Sequence, residues 1–457
     1  MATKDEQPPL HILFFPFPAP GHLIPITHMA ALFAARGARC TVLTTPVNAA
    51  IIRPAVDRAN DVNSSGTGKA PGIKISVMPF PDVGLPPGVE NATGLTDQVD
   101  RDNFLHAIQL MREPFDRFLA DKHNHPVDAV VADSKFYEVM LRENPMESSP
   151  NQDDPDAIVL LPGLPHRVEL RRSQMPDPRK LPKMYAFYKI VNEEDQKSYG
   201  EVFNSFHELE PEYVEHYQTT LGRRVWLVGP VARPDMDVRD ALSPEADACL
   251  RWLDRKPAGS VVYVSFGTLS SFSPDELREL AGGLSCSTKN FVWVIRGACT
   301  DEWMPEGFAE LLARGERGLV IRGWAPQVLI LNHPALGGFV THCGWNSVLE
   351  AVTAGVPMVT WPRYADQFFN EKLVVEVLKV GVSIGARDYA SAIETHQLIG
   401  AEVIAESIGR VMDSDDYALI QSNAKKLGVK AWGAVENNGS SYRDMGRLMD
   451  ELMALRS

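Results

Sequence analysis

The seven residues from Thr341 to Ser347 (Thr-His-Cys-Gly-Trp-Asn-Ser), with Glu350 three positions on, form the densest chemical constellation in the chain. An apolar run ends at Thr341, Gly344 permits a tight turn, and a helical pattern follows. A helix start behind such a turn offers unpaired N–H groups and the positive end of the dipole, which suits an anion. The dipole contributes only ~0.3–1 kcal/mol, so donors such as His342 and Asn346 must supply the rest. Ser347 and Glu350 have the spacing of a capping box. A plain capped helix with Glu350 bonding back is as good a reading of this motif alone as a diphosphate site. Glu350 can also accept from a vicinal diol, as acidic residues do for ribose in dinucleotide sites.

Two shorter pieces flank this one. Trp324-Ala325-Pro326-Gln327 sets a large aromatic before a turn, and stacking on a base is worth ~1–3 kcal/mol. A lone Trp is more often core. Asp366-Gln367 follow a strand end and Pro362. A neighbouring carboxylate and amide can chelate sugar hydroxyls, although most such pairs are solvated surface. In the first half, His22 follows Pro20-Gly21 just after an apolar strand, and Asp133 ends a later one. Imidazole titrates where a general base must, and a carboxylate can fix its tautomer. By residue type alone, a His after Pro-Gly is more often structural.

The elements that must position these groups follow an α/β grammar. Leu10–Phe15 reads as a buried strand, Ile24–Phe33 carries a helical pattern closed by Gly37, and Cys40–Thr44 reads as the next strand, a βαβ unit. Further strands are expected at Ile73–Met78 and Ala129–Ala132, with a helix near Asn103–Ala120. The second half restarts at Val261–Phe266, with a capping box at Ser273–Glu276 opening a helix through Leu284. Strands at Phe291–Ile295, Gly318–Ile321, Phe339–Thr341 and Val356–Trp361 follow, with a helix near Asn346–Ala354 and another near Ser441–Leu455. The expected fold is α/β, two doubly wound Rossmann-like domains facing a cleft. Residues 1–235 form the first, 245–435 the second, and 436–457 a helix returning to the first. A ligand cleft is expected at the carboxyl ends of the strands.

Composition narrows the function classes. A net charge of −14 without a basic cluster argues against nucleic acid or an anionic membrane as partner. Five scattered cysteines without a C-x-x-C pair point to a reduced, cytoplasmic protein without structural zinc. The polar start MATKDEQPP is no signal peptide, and no run of ~20 apolar residues predicts a membrane span. No G-x-G-x-x-G follows an expected strand and no Walker A run exists, which disfavours a dinucleotide oxidoreductase.

Spacing changes the weight of the separate pieces. From Trp324 to Gln367 the chain resembles the signature box of plant secondary-product UDP-glycosyltransferases, glycosyltransferase family 1. The match includes Trp324, Gln327, His342, Gly344, Trp345, Asn346, Ser347, Glu350, Asp366 and Gln367. Pro20-Gly-His-Leu-Ile-Pro25 and Ser265-Phe-Gly-Thr268 extend the likeness over nearly the whole chain, most of all to enzymes glucosylating coumarins, flavonoids and related phenols. The resemblance implies a GT-B fold and a role for each matching residue. Trp324 would stack on uracil, with Ala325 and Gln327 near the nucleoside. Glu350 would hold the ribose. His342, Gly344, Asn346, Ser347 and Thr268 would surround the diphosphate, and Trp345, Asp366 and Gln367 the sugar. Gln367 points to UDP-glucose as co-substrate. His22 and Asp133 would be the catalytic pair of an inverting displacement that needs no metal and no bound cofactor. The partners implied are the UDP-sugar and a small phenolic acceptor, and a monomer is expected.

The likeness breaks in one place. Only 28 residues separate Asp133 from Pro162, where the family carries a longer segment. Lys135–Leu141 reads as one short amphipathic piece and Arg142–Ala157 as a polar loop, so the first domain is expected to lack a strand and helix. Two functions follow: a working UDP-glucose-dependent O-glucosyltransferase, or a catalytically impaired UDP-sugar-binding relative.

Overall fold

The computed structural model describes residues 8–65, 71–121, 126–133, 153–232, 234, 243–296, 301–390, 396–413 and 417–456. The shortened segment anticipated after Asp133 falls mostly on 134–152, outside these residues.

Two all-parallel sheets organise the chain. The first contains β1 (His11–Phe15), β2 (Arg39–Thr44), β3 (Ile73–Val77) and β4 (Ala129–Ala132) in the order β3-β2-β1-β4. Parallel strands need crossovers, and the helix Pro20–Ala35 supplies the first. Its alanine-rich, leucine- and phenylalanine-bearing face lies against β1 and β2 in one core with Leu23, Phe33, Ile12 and Val42. Pro20 opens the helix, Gly37 turns the chain beyond it in the left-handed region, and Pro25 sits inside it. The expected helix Asn103–Ala120 is two helices, Gln98–Leu110 and Arg112–Ala120, parted at Met111. A helix the sequence reading did not anticipate, Pro46–Ser65, follows β2.

Two small pairs come next. The strands β5 (Ile158–Leu161) and β6 (Val168–Arg171) form an antiparallel hairpin. Val159, Leu161, Val168 and Leu170 share their core with Val262, Val264 and Phe266 of the second half, so this hairpin packs there and adds no strand to the first sheet. The strands β7 (Glu201–Phe203) and β8 (Val225–Leu227) pair with each other in parallel.

The second sheet contains β9 (Val261–Ser265), β10 (Asn290–Ile295), β11 (Gly318–Arg322), β12 (Leu336–Thr341), β13 (Met358–Thr360) and β14 (Gly381–Ser383), in the order β11-β10-β9-β12-β13-β14. Its central strands are buried on both faces, which explains their continuous rather than alternating apolar runs. The helix Pro274–Cys286 begins with the expected capping box: Glu276 N–H donates to Ser273 Oγ at 3.2 Å, and Ser273 N–H to Glu276 Oε2 at 2.8 Å. The last helix, Ser440–Arg456, returns to the first half. Met445 and Leu448 join the core of the first sheet. Leu227 N–H donates to Asp444 Oδ2 at 3.0 Å, and Arg36 Nη1 to the Tyr442 carbonyl at 2.8 Å. No described helix is long and apolar enough to cross a membrane.

Candidate active site

Both sheets reverse their strand order once, the first beside its edge strand β4 and the second at its centre, and ligand crevices in open α/β sheets lie at the carboxyl ends flanking such reversals. In the first sheet the reversal falls between β1 and β4. The chain leaving β1 carries Phe17 and His22, and the chain leaving β4 carries Asp133. In the second it falls between β9 and β12. There the exits carry Gly267 and Thr268 on one side, and His342, Cys343 and Gly344 on the other.

The first crevice holds an imidazole–carboxylate pair. His22 Nδ1 lies 2.7 Å from Asp133 Oδ2, with both side chains mostly buried. Phe17 N–H donates to the same oxygen at 3.3 Å, and Asp133 N–H donates to the Phe15 carbonyl at 3.1 Å. The carboxylate is therefore held by the strand end it faces. With Nδ1 engaged, Nε2 is the nitrogen left to take a proton. Phe17 meets the imidazole edge-on at 5.4 Å, and Phe104 and Phe80 continue the aromatic wall.

The second crevice is built from backbone. The helix Trp345–Ala354 begins directly after β12 with Gly344 as its N-cap and no side-chain cap. Its first N–H groups are thus open to a ligand, as an anion site requires. The capping-box reading of Ser347 and Glu350 fails, because the helix starts earlier and Ser347 already lies inside its first turn. Glu350 Oε2 instead accepts from Gln327 Nε2 at 2.7 Å, and the same amide reaches Ser347 Oγ at 3.0 Å. Tyr263 OH donates to Gln327 Oε1 at 3.3 Å. Gln327 therefore ties Glu350 to the sheet.

The His342 ring packs between two glycines. A Cβ on Gly267 or on Gly344 would come within 2.6 Å of Nε2, and Gly267 has φ of +73°, so both positions need glycine. Burial, with the Arg363 cation nearby, pushes the His342 pKa down to about 4, so its ring is neutral near pH 7. Cys343 takes a left-handed backbone at φ +62°, and burial pushes its thiol well up, which makes it a poor nucleophile.

The flanking pieces converge on the same edge. The Trp324 ring is 59% exposed, so it is not a core residue, and the Arg296 guanidinium lies 5.5 Å from its centroid. Ala325 is buried beside it and Thr268 half-buried in the turn after β9. Asp366 precedes the short helix Gln367–Lys372, and Asn370 Nδ2 bridges Asp366 Oδ2 at 2.7 Å and the Cys343 carbonyl at 2.8 Å. Gln367 Oε1 accepts from the backbone N–H of Arg363 at 2.8 Å and of Tyr364 at 3.1 Å, which leaves its amide NH2 for other partners.

The two crevices touch through the first turn of the helix Trp345–Ala354. Asn346 Nδ2 donates to the Gly21 carbonyl at 2.6 Å, and Trp345 Nε1 to the Asn204 carbonyl at 2.8 Å. Trp345 therefore spends its indole N–H on the first half of the chain.

Several participants were missed in the sequence. Arg296, Asn204, Tyr263 and Asn370 carry no motif. Only Arg296 had a findable signal, its place just past the carboxyl end of β10. Arg363 forms a buried ion pair with Glu276 at 2.5 Å, and His396 Nδ1 lies 3.2 Å from the same carboxylate. Among the described residues no group of three or more His, Cys, Asp or Glu could hold a metal ion.

The fold and the two facing crevices define a GT-B type protein. Solved structures agree: UGT73P12 of Glycyrrhiza uralensis, complexed with glycyrrhetinic acid 3-O-monoglucuronide, superposes with a TM-score of 0.86 at 33% identity, covering 98% of this chain and 96% of that one. UGT71G1 of Medicago truncatula, complexed with UDP-glucose, gives 0.76 at 25% identity, covering 98% and 100%.

Residues 183–397 match the family profile described as UDP-glucoronosyl and UDP-glucosyl transferase. The chain is 39% identical to scopoletin glucosyltransferase of Nicotiana tabacum, covering 98% of this chain and 99% of that protein. It is 38% identical to UDP-glucose flavonoid 3-O-glucosyltransferase 7 of Fragaria ananassa, covering 99% and 98%. The chain belongs to this family and is a UDP-glycosyltransferase.

Proposed function

We propose that this enzyme transfers glucose from UDP-glucose to a hydroxyl of a small phenolic acceptor, with inversion at the anomeric carbon. The observation that carries the reading is the 2.7 Å contact between His22 Nδ1 and Asp133 Oδ2 at the mouth of the first crevice. The acceptor O–H gives its proton to His22 Nε2. Its oxygen forms a bond to the anomeric carbon as the bond from that carbon to the β-phosphate oxygen breaks. UDP leaves as an anion and needs no acid. Asp133 holds the tautomer and stabilises the imidazolium that forms, the part the carboxylate plays in hydrolase triads.

The donor lies in the second crevice. Trp324 stacks on uracil, with Ala325 and Gln327 beside the nucleoside, and Glu350 accepts from the ribose hydroxyls. The diphosphate sits over the open N–H groups of the helix Trp345–Ala354, with Thr268, His342, Gly344, Asn346 and Ser347 around it. A neutral His342 acts there as a hydrogen-bonding group rather than a cation. Trp345, Asp366 and Gln367 face the sugar. Residues 1–235 then serve the acceptor, 245–435 the donor, and 436–457 ties back to the first part. Relatives named for scopoletin and for flavonoids support a phenolic acceptor, and the aromatic wall of Phe17, Phe80 and Phe104 suits a flat ring.

The test is UDP release by the purified full chain, with UDP-glucose, UDP-galactose and UDP-glucuronate each offered to a panel of coumarins and flavonols. Acceptor-dependent release, fastest with UDP-glucose, is expected. Calorimetric binding of UDP-glucose without turnover on any phenol would overturn the catalytic reading and favour a UDP-sugar binder.

A further inference from the structure

We infer that Pro25 is a positioning residue: it keeps the Gly21 carbonyl open so that Asn346 can bind it, which locks the base-bearing helix to the donor helix. This rests on the reading of His22 as base and of the start of Trp345–Ala354 as the diphosphate site. In an α-helix each carbonyl takes the N–H four residues on. Within Pro20–Ala35 the partner of the Gly21 carbonyl would be residue 25, which is Pro25 and has no N–H. Proline in a helix interior is the costliest choice for helix stability. Here the carbonyl it leaves open is the one that Asn346 Nδ2 meets at 2.6 Å from the other half of the molecule.

The placement gives that bond a use. Gly21 directly precedes His22, so fixing its carbonyl sets the base relative to the start of the donor helix. An amide NH2 has two hydrogens. One is spent on Gly21 and the other remains for a phosphate oxygen, so Asn346 can join base and donor in one step of contacts. Ile24, Pro25 and His28 line the seam opposite Asn346, Leu349 and Glu350, which places the proline ring at the junction itself. The Trp345–Asn204 bond is a second tie across it.

Pro25→Ala restores the missing N–H and gives the Gly21 carbonyl an intrahelical partner. The expected result is a melting temperature unchanged or raised, UDP affinity within twofold of the parent by calorimetry, and kcat lower by about three- to tenfold, the scale of one neutral hydrogen bond. In an Asn346→Ala background the same change should cost nothing further, because the latch is already gone. Full turnover in Pro25→Ala would overturn the proposal, as would an equal loss of turnover in both backgrounds. A variant that melts several degrees lower would assign Pro25 to packing and overturn it too. If His22→Ala keeps its turnover while the Pro25–Asn346 coupling is present, the base reading fails and the latch stands.

Discussion

His22 and Asp133 meet at 2.7 Å although 111 positions separate them, because β1 and β4 are neighbours in the first sheet and both residues lie at the same end of it. The Phe17 N–H shares the carboxylate oxygen, so the pair is anchored to backbone at the point where a base would be needed. Removing the imidazole by His22→Ala is expected to lower kcat by ~10²–10⁴, the usual weight of a general base, with UDP affinity retained by calorimetry. Asp133→Asn should also lower kcat, since an amide cannot stabilise the imidazolium. Wild-type turnover in either variant would remove that residue from the mechanism.

Glu350 and Gln327 form the second pair to test. Glu350→Ala removes a charged acceptor and should weaken UDP-glucose binding about 10- to 100-fold, the range of a hydrogen bond to a charged group. Gln327→Ala leaves the carboxylate in place but frees it from the 2.7 Å contact that aims it, so a smaller loss is expected. Calorimetry showing parental affinity for Glu350→Ala would count against a ribose role.

Gly267→Ala should damage the donor site without touching any charged group. The new methyl would sit 2.6 Å from His342 Nε2 on a backbone with φ of +73°, so the turn after β9 must shift. UDP affinity is expected to fall at least about tenfold, with a loss of stability of about 1–3 kcal/mol. Isothermal titration and chemical denaturation read the two effects separately. Unchanged UDP binding would show that the turn does not approach the nucleotide.

Acid should destabilise the folded chain through two histidines. Burial holds both His28 and His342 near pKa 4 in the folded state, against 6.5 when exposed. The unfolded chain therefore binds more protons between those values. Their contribution to stability is complete above pH 6.5, declines as pH falls, and is gone below about 4. For His28 this amounts to about 3 kcal/mol. Glu371 acts in the opposite direction. Burial raises its carboxyl to about 7, so its contribution is complete below 4.5 and is lost as pH rises through 7. Burial raises the Glu210 carboxyl in the same sense, so the histidines enter as a positive term in the slope of melting temperature against pH between 4.5 and 6.5. His28→Leu should flatten that slope. A slope unchanged in His28→Leu would show that its imidazole is not held neutral.

Local chemistry was readable from the chain alone. Short apolar runs bounded by glycine and proline marked the long strands, since burial on both faces leaves no alternation to confuse. The Ser273–Glu276 box formed as expected because its partners are three residues apart and nothing distant competes. Three-residue strands such as β7, β8 and β14 escaped notice, because only their neighbours make them strands. Nothing local announced the destination of the hairpin β5-β6 in the core of the second half.

Residue types and spacing by themselves determined the two-sheet α/β class, the family signature from Trp324 to Gln367, and which side chains could act as base, anion donor and sugar ligand. Tertiary structure alone decided their partners. Glu350 turned from its own helix start to Gln327, Trp345 and Asn346 turned to the opposite half, and Arg363 found Glu276. The physical reason is that a side chain's hydrogen-bond partner is set by whichever strand end or helix start lies beside it, and that adjacency depends on sheet order rather than on distance along the chain.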